Sequence, residues 1–425
     1  MRSSLSTIVA LNMSGALAAN SSLYHYMPVE FEYGADSRVT ADLIVGTAPS
    51  AKPVRVVMDS GSASFWVWSP DATINFGSPY LGQTGQCNSK VPVNYDPALS
   101  STSSISNRSS NYFYAGNSKI VYGEQLANDS ITAVGGSGAI PNVQFALENF
   151  GQLKWASTTC EPPSYDQGIL GLLHYDKELT GPSAGPSFRQ NLFQSGQIAS
   201  KTLFMWFDKH LGALGDLTGG VIFGAIDKSK YTGPLVEVEN SIPQYQVGIH
   251  VAKPNVTFNG KTFTPDADVR CLVDSGAHAD YLPFAFGSPI EKEFIAAADG
   301  LLVEYNGIIA YNGTCESIPQ SMNITYTFAG KHGKNVDIDM PLRNYARGLE
   351  YGGDHETDSL CLFNLEVGGC TLGAPFHSAA AIWMDDEGDR VAFAQAAISE
   401  KGAGVSVKDV VVMNEAESLA FWDTL

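Results

Sequence analysis

Charge is scarce in this 425-residue sequence. Asp, Glu, Lys and Arg together make up only 16% of it, and basic residues are the scarcer kind, 25 against 44 acidic, for a formal net charge of −19. So few Lys and Arg leave no electrostatic footprint for a polyphosphate, which argues against nucleic acid and anionic membrane as partners. The low charge does not signal disorder, because hydrophobic residues reach 44%, enough to build a core. Long apolar runs are missing as well: after the N-terminal stretch nothing approaches the ~18 uninterrupted residues that a spanning helix needs. No C-x-x-C pair occurs and the eight histidines show no His-x-x-x-His spacing, so neither a metal nor a cofactor is expected. Asp385-Asp386-Glu387, just before Gly388, reads as a solvated turn.

The length exceeds one ordinary hydrophobic core and suits two lobes of about 200 residues each. Residues 1–19 read as a signal peptide: Met1-Arg2, a small and apolar stretch from Leu5, then Ala16-Leu17-Ala18-Ala19 as an A-x-A-like cleavage site. Behind such a leader, six widely spaced cysteines read as three disulfides in an oxidising compartment. N-glycan acceptor triplets beginning at Asn20, Asn107, Asn128, Asn255, Asn312 and Asn323 point the same way, so a secreted glycoprotein is expected. Short apolar segments separated by Gly, Pro, Ser and Asn clusters give an all-β pattern. Val39–Ile44, Val54–Met58, Phe65–Trp68 and Ile120–Tyr122 are predicted strands, Ser187–Ser195 and Ile290–Ala298 predicted helices, and Asp96–Asn111 a Ser-rich loop.

One duplication stands out. Val57-Met58-Asp59-Ser60-Gly61-Ser62 recurs 215 residues later as Leu272-Val273-Asp274-Ser275-Gly276-Ala277. Each copy is followed about a hundred residues on by two further residues and a glycine: Ile169-Leu170-Gly171 and Thr371-Leu372-Gly373. A lone Asp-Ser-Gly is a turn. Two copies with matched downstream partners, in a chain of two-lobe length, point to two aspartates meeting at one site.

These residues resemble the pepsin family of aspartic peptidases, from about Thr40 to Ala397. The resemblance implies a bilobal double β-barrel with a cleft between the lobes: residues 20–235 as the first lobe, 236–400 as the second, and 401–425 as a C-terminal extension. It implies Asp59 and Asp274 as catalytic carboxylates, with Ser60, Gly61, Ser62, Ser275 and Gly276 supporting the two turns. It implies a flap hairpin with Tyr122 and Gly123 at its tip, Trp66 beneath it donating its indole N–H to Tyr122, and Ile169 on the wall of an apolar substrate pocket. Cys315–Cys361 is expected by the same resemblance, with Cys87–Cys160 and Cys271–Cys370 as the remaining pairs. The implied activity is hydrolysis of a peptide or protein substrate by a monomer, at acidic pH and without a cofactor.

The sequence departs from the family in four places. No basic inhibitory prosegment fits between the leader and Asp59. The segment after Tyr122-Gly123 reads Glu124-Gln125-Leu126-Ala127, where the family has glycines. The second turn continues Ala277-His278-Ala279-Asp280 in place of hydroxyl and apolar residues. Met58 precedes the first aspartate. These departures leave an alternative open, a pepsin-fold binding or inhibitor protein without turnover; a structural β-protein has only the fold class in its favour.

Overall fold

A computed structural model describes residues 23–425 apart from 35–36, 77–86, 116–117, 154–164, 174–186, 209–216, 242–247, 266–268, 306, 348–355, 358–359, 387, 398–401 and 403. The fold is all-β and bilobal. Thirteen strands in hydrogen-bonded sequence form the path of a 16-stranded sheet that runs through the first lobe and across the base of the molecule. The second lobe is built on an eight-stranded and a four-stranded sheet.

The sheet at the base joins the two halves of the chain. Its order is Tyr231–Val238, Arg390–Ala396, Ala380–Asp385, Thr202–Phe207, Leu217–Phe223 and His25–Glu32. Chain from both halves therefore pairs in one sheet: Thr202–Phe207 lies antiparallel to Ala380–Asp385, and Tyr231–Val238, which carries the expected lobe boundary, pairs with Arg390–Ala396. The sequence explains why these strands sit in the middle. Thr202–Phe207 and Ala380–Asp385 are buried at every position, so both faces are covered. His25–Glu32, farther out, alternates buried and half-buried residues with the period of two expected when one face packs.

The covering of the outer face comes from the end of the chain. The strand Val410–Val412 pairs with Ala225–Asp227, and the helix Glu415–Trp422, closed by an Asn414/Glu417 capping box, lays Trp422 flat on Trp383 at 4.1 Å between ring centroids. Phe204, Trp206, Ile222 and Met413 complete that apolar layer. Polar contacts tie the lobes on the other side. Ser37 donates to the His278 carbonyl at 2.6 Å, Asn364 donates to the Gly34 carbonyl at 2.6 Å, and Tyr33 donates to Asn344 at 3.3 Å.

Local expectations meet the structure as follows. The predicted strands lie within Arg38–Val45, Val54–Asp59, Phe65–Asn75 and Lys119–Gly123. The helices are Phe188–Gln194 and Pro289–Ala296, each N-capped by a serine, Ser187 and Ser288. The Asp96–Asn111 segment is not all loop. Asp96 caps a short 3-10 turn, and Ser104–Ser106 forms a strand against Gln125–Ala133, satisfying backbone groups that polar side chains alone leave open. Disulfides join Cys271 to Cys370 and Cys315 to Cys361. Cys87 is also disulfide-bonded, while Cys160 and the whole of residues 1–19 lie outside the described residues.

The Trp422–Trp383 stack fixes one prediction. Trp422 is fully buried, and emptying a site of that size costs about 3–5 kcal/mol. Trp422→Ala should lower the urea-unfolding free energy by about that amount; a loss under ~1 kcal/mol would show that the C-terminal helix is not an integral layer.

Candidate active site

Each aspartate sits where a strand ends in a turn. Val54–Asp59 carries Asp59 at its last position and is flanked by the parallel strand Gly168–Gly171, with Gly171 opposite Asp59. Arg270–Val273 delivers Asp274 in the same way, flanked by the parallel strand Thr371–Leu372, whose Leu372 carbonyl accepts the Asp274 N–H at 3.0 Å. The duplication in the sequence is thus a duplication of strand, turn and buttress.

Four reciprocal hydrogen bonds bring the turns together. The Ser60 N–H donates to Ser275 Oγ at 2.9 Å and the Ser275 N–H to Ser60 Oγ at 2.8 Å. Ser60 Oγ in turn donates to the Val273 carbonyl at 3.0 Å and Ser275 Oγ to the Met58 carbonyl at 2.5 Å. Both serines are fully buried. The two glycines are a steric necessity. A Cβ on Gly61 would lie 2.5 Å from the Asp274 carboxyl carbon, and one on Gly276 would lie 2.5 Å from Asp59 Oδ1.

The two carboxyls differ in their partners. Asp59 accepts the Gly61 N–H at 2.8 Å on one oxygen and the Ser62 hydroxyl at 2.5 Å on the other. Asp274 accepts two backbone N–H groups on a single oxygen, from Gly276 at 2.9 Å and Ala277 at 3.2 Å. Ala277 has no hydroxyl to offer the other oxygen. Burial first, and then the charge of Asp59 and a hydrogen bond with it, push Asp274 well above the ordinary carboxylate range. Two carboxyls in such contact titrate as a pair.

Above this pair the structure departs from the expected flap. The strands Ser110–Tyr114 and Lys119–Gly123 form the hairpin, so Tyr122 lies near its base, opposite Asn111, and not at its tip. Tyr122 is 42% exposed and leans on Phe150 at 5.0 Å. The Trp66 indole donates to Tyr114 at 2.9 Å, eight residues earlier than expected. Burial, and next the charge of Asp59, raise the Tyr114 phenol well above its usual range. The reason Trp66 meets Tyr114 is register. Tyr112 and Tyr114 share one face of their strand and pair with Val121 and Lys119, whereas Tyr122 falls on the opposite face of its own strand. Gly123 sits at the hairpin base against the Leu147 carbonyl. Ile169 is buried in the cluster that includes Trp66, Trp68 and Val121, beneath the flap and not on an open pocket wall.

A buried polar group that the sequence left unexplained supports the second turn. Asp280 accepts the Gly373 N–H at 2.7 Å and the Phe376 N–H at 3.2 Å, capping the short helix Ala374–His377 from a separate strand. That helix has no side-chain cap of its own. Burial pushes the Asp280 carboxyl up to about 8, although hydrogen bonds from Tyr345 and the two N–H groups pull the other way. At the end of the helix His377 is fully buried, bonded through Nδ1 to the Gly373 carbonyl at 2.8 Å and 3.4 Å from Ser60 Oγ through Nε2. Burial lowers it to about 4. The Asp280 signal was visible in sequence only as an acidic residue in an apolar stretch.

Among the described residues no group of three or more His, Cys, Asp and Glu side chains could hold a metal ion, and no helix is long and apolar enough to cross a membrane. A family model described as "Eukaryotic aspartyl protease" matches residues 40–396. The chain is similar to a fungal protein named "Probable aspartic-type endopeptidase opsB" from Aspergillus fumigatus, 25% identical over 338 residues, which are 75% of this chain and 62% of that protein. It is also similar to "Candidapepsin-1" of Candida albicans, 26% identical over 357 residues, 84% of this chain and 80% of that one. "Secreted aspartic protease 6" of Candida albicans is 26% identical over 359 residues, 84% and 75% of the two chains. The chain thus spans under two thirds of the first of these relatives.

The buried titratable groups set the pH dependence of stability. Burial raises Glu148 to about 7 and Asp280 to about 8, so their contribution is full in acid and is lost as pH rises from about 4 to those values. Burial lowers His25 and His377 to about 4, so their contribution is full above about 6.5 and is lost as pH falls to 4. Two carboxyls and two histidines offset one another between 4 and 6.5; above 6.5 only the carboxyls still titrate, and Asp280 continues to 8. The melting temperature should therefore fall between pH 6.5 and 8, and Asp280→Asn, which keeps an oxygen for the two N–H donors, should flatten that fall. An equally steep fall in the variant would clear Asp280 of the effect.

Proposed function

The chain belongs to the eukaryotic aspartyl protease family, and from that premise we propose that it is an aspartic endopeptidase in which Asp59 and Asp274 are the catalytic residues. The observation that carries the proposal is the reciprocal Ser60–Ser275 lock, which sets two carboxyls from opposite lobes in mutual contact with one of them raised far out of its usual range. Structural turns gain nothing from forcing two carboxyls together, whereas an acid–base pair requires it.

The chemistry follows from the asymmetry. Asp59, held by Gly61 and Ser62, takes a proton from water as the water oxygen adds to the scissile carbonyl carbon. Asp274 gives its proton to the carbonyl oxygen, so a neutral tetrahedral diol forms and the proton has moved across the pair. Asp59 then delivers its proton to the departing nitrogen, a diol hydroxyl returns one to Asp274, and the C–N bond breaks. Acid and amine leave, and the pair is back in its starting state. No covalent intermediate with the protein forms. Tyr114, held by Trp66, faces the reacting centre from the flap and takes the role that the sequence suggested for Tyr122.

The substrate class is a peptide or protein. Secretion of a monomeric, glycosylated enzyme with lobes at 20–235 and 236–400 completes the proposal; the apolar leader and the disulfides Cys271–Cys370 and Cys315–Cys361 support it.

The purified chain should cleave a denatured protein between pH 3 and 7 and stop when a statine-type inhibitor is added. Asp59→Asn and Asp274→Asn should each reduce cleavage to below a few per cent while leaving the fold intact by circular dichroism. Substantial residual cleavage in either variant refutes the assignment. Ala277→Thr should supply Asp274 with the hydroxyl that Asp59 already has. A donor favours the ionised form, so the upper limb of the kcat/KM profile should move to lower pH by about one unit. An unmoved limb would show that position 277 does not tune the pair.

A further inference from the structure

We propose that Asp166 is a positioning residue for the flap: through its ion pair with Lys119 it seats the hairpin over the carboxyl pair, and the flap engages substrate only when this latch is closed. The inference rests on the endopeptidase reading for its consequence in catalysis, but its structural content stands apart from it.

Lys119 opens the second strand of the hairpin, directly opposite Tyr114. Its ammonium pairs with the Asp166 carboxylate and lies 5.9 Å from the centre of the Tyr114 ring. The pair is well removed from solvent, with side-chain exposure of 13% for Lys119 and 10% for Asp166. Apolar groups surround it, Trp68, Ile74, Val121 and Leu153 among them. An ion pair in such surroundings is screened far less than one in open water.

Asp166 itself is fixed to the body of the lobe. Its backbone carbonyl accepts the Trp68 indole N–H at 2.8 Å, and its second carboxylate oxygen faces Arg38 Nε at 3.4 Å. The next residue, Gln167, which interrupts the family's Asp-Gly pattern, accepts the Arg55 N–H and the Asn94 amide, both at 3.0 Å, and so pins the segment further. Among the described residues, Asp166 thus meets the hairpin through Lys119 and the body of the lobe through Trp68 and Arg38.

Two neighbouring tryptophans therefore govern the flap on one strand. Trp66 holds Tyr114 by a hydrogen bond, and Trp68 holds the residue that holds Lys119. Admission of a polypeptide requires both ties to loosen together. Arg38 makes this feasible. Stripping a carboxylate of its only cation in a dry site is costly, whereas here Arg38 remains with Asp166 when Lys119 leaves, so the open state contains no uncompensated acid.

The test uses the full chain as wild type, Lys119→Met, Lys119→Arg and Asp166→Asn, with circular dichroism to confirm folding. Hydrogen–deuterium exchange of amides in 110–123 should quicken about tenfold in Lys119→Met and Asp166→Asn, stay near wild type in Lys119→Arg, and leave the base-sheet strands unchanged. On a peptide substrate KM should rise about tenfold in Lys119→Met with kcat within twofold, and Lys119→Arg should restore KM. Unchanged flap exchange in Lys119→Met, or an arginine variant as loose as the methionine one, overturns the proposal. Should Asp166→Asn fail to fold, the Lys119 variants decide alone. If the wild type cleaves no peptide, the endopeptidase reading fails, while the exchange data still judge the latch.

Discussion

Two carboxyl groups in contact repel when both are ionised, by about 4 kcal/mol at 4 Å for an effective dielectric near 20. Four hydrogen bonds between Ser60, Ser275, Val273 and Met58 hold the turns against that repulsion. Each contributes only about 0.5–1.5 kcal/mol net, so the lock suffices once a shared proton removes most of the repulsion. Geometry and protonation are then one constraint. On the proposed reading, the state with one proton is both the one in which the turns hold together and the one that can donate and accept in a hydrolysis.

The rest of the molecule serves this constraint from below. Parallel strands ending in Gly171 and Leu372 buttress the turns. The short helix that Asp280 caps carries His377 toward Ser60, so the second lobe supports the first lobe's turn as well as its own. The base sheet shares strands between halves of the chain, which limits how far the two turns can separate. A set of buried acids lies around this frame with values raised by desolvation. Protonated, they are neutral and add no charge to a dry interior; a frame of this kind suits acid conditions, in keeping with the acidic composition.

Much of this was legible in the sequence because it repeats. The Asp-Ser-Gly turns, their spacing and their downstream glycines specify backbone approaches that no other residues allow, as the Gly61 and Gly276 contacts make plain. Strand positions followed from apolar segments bounded by turn residues. That Trp66 meets Tyr114 and not Tyr122 was not legible from the Tyr122-Gly123 dipeptide, because which face a strand residue takes depends on register. The stronger signal was Ala115-Gly116-Asn117-Ser118 after the alternating Tyr112 and Tyr114, and Ala115 indeed takes a positive φ of 46°. The trans cap by Asp280 was hidden for another reason: its partners are backbone groups 93 and 96 residues away, and backbone donors leave no trace in a sequence.

The flap and the base sheet are held in different ways. At the base, apolar layers press on both faces of Ala380–Asp385, and the stacked Trp383 and Trp422 seal the outer one; nothing there can move without exposing aromatic surface. At the flap, one strand face carries Tyr112, Tyr114 and Val121 inward and the other leaves Phe113 and Tyr122 in solvent, so the hairpin packs on one face only. An element packed on one face is seated by directional contacts as well. The Trp66 hydrogen bond and the Lys119 ion pair supply them: the first originates in the strand that follows the Asp59 turn, and the second in Asp166, which Trp68 of that strand holds. Through Trp66, Tyr114 is tied to the strand that follows the Asp59 turn, so the hairpin is referenced to the same piece of backbone that carries the first carboxylate.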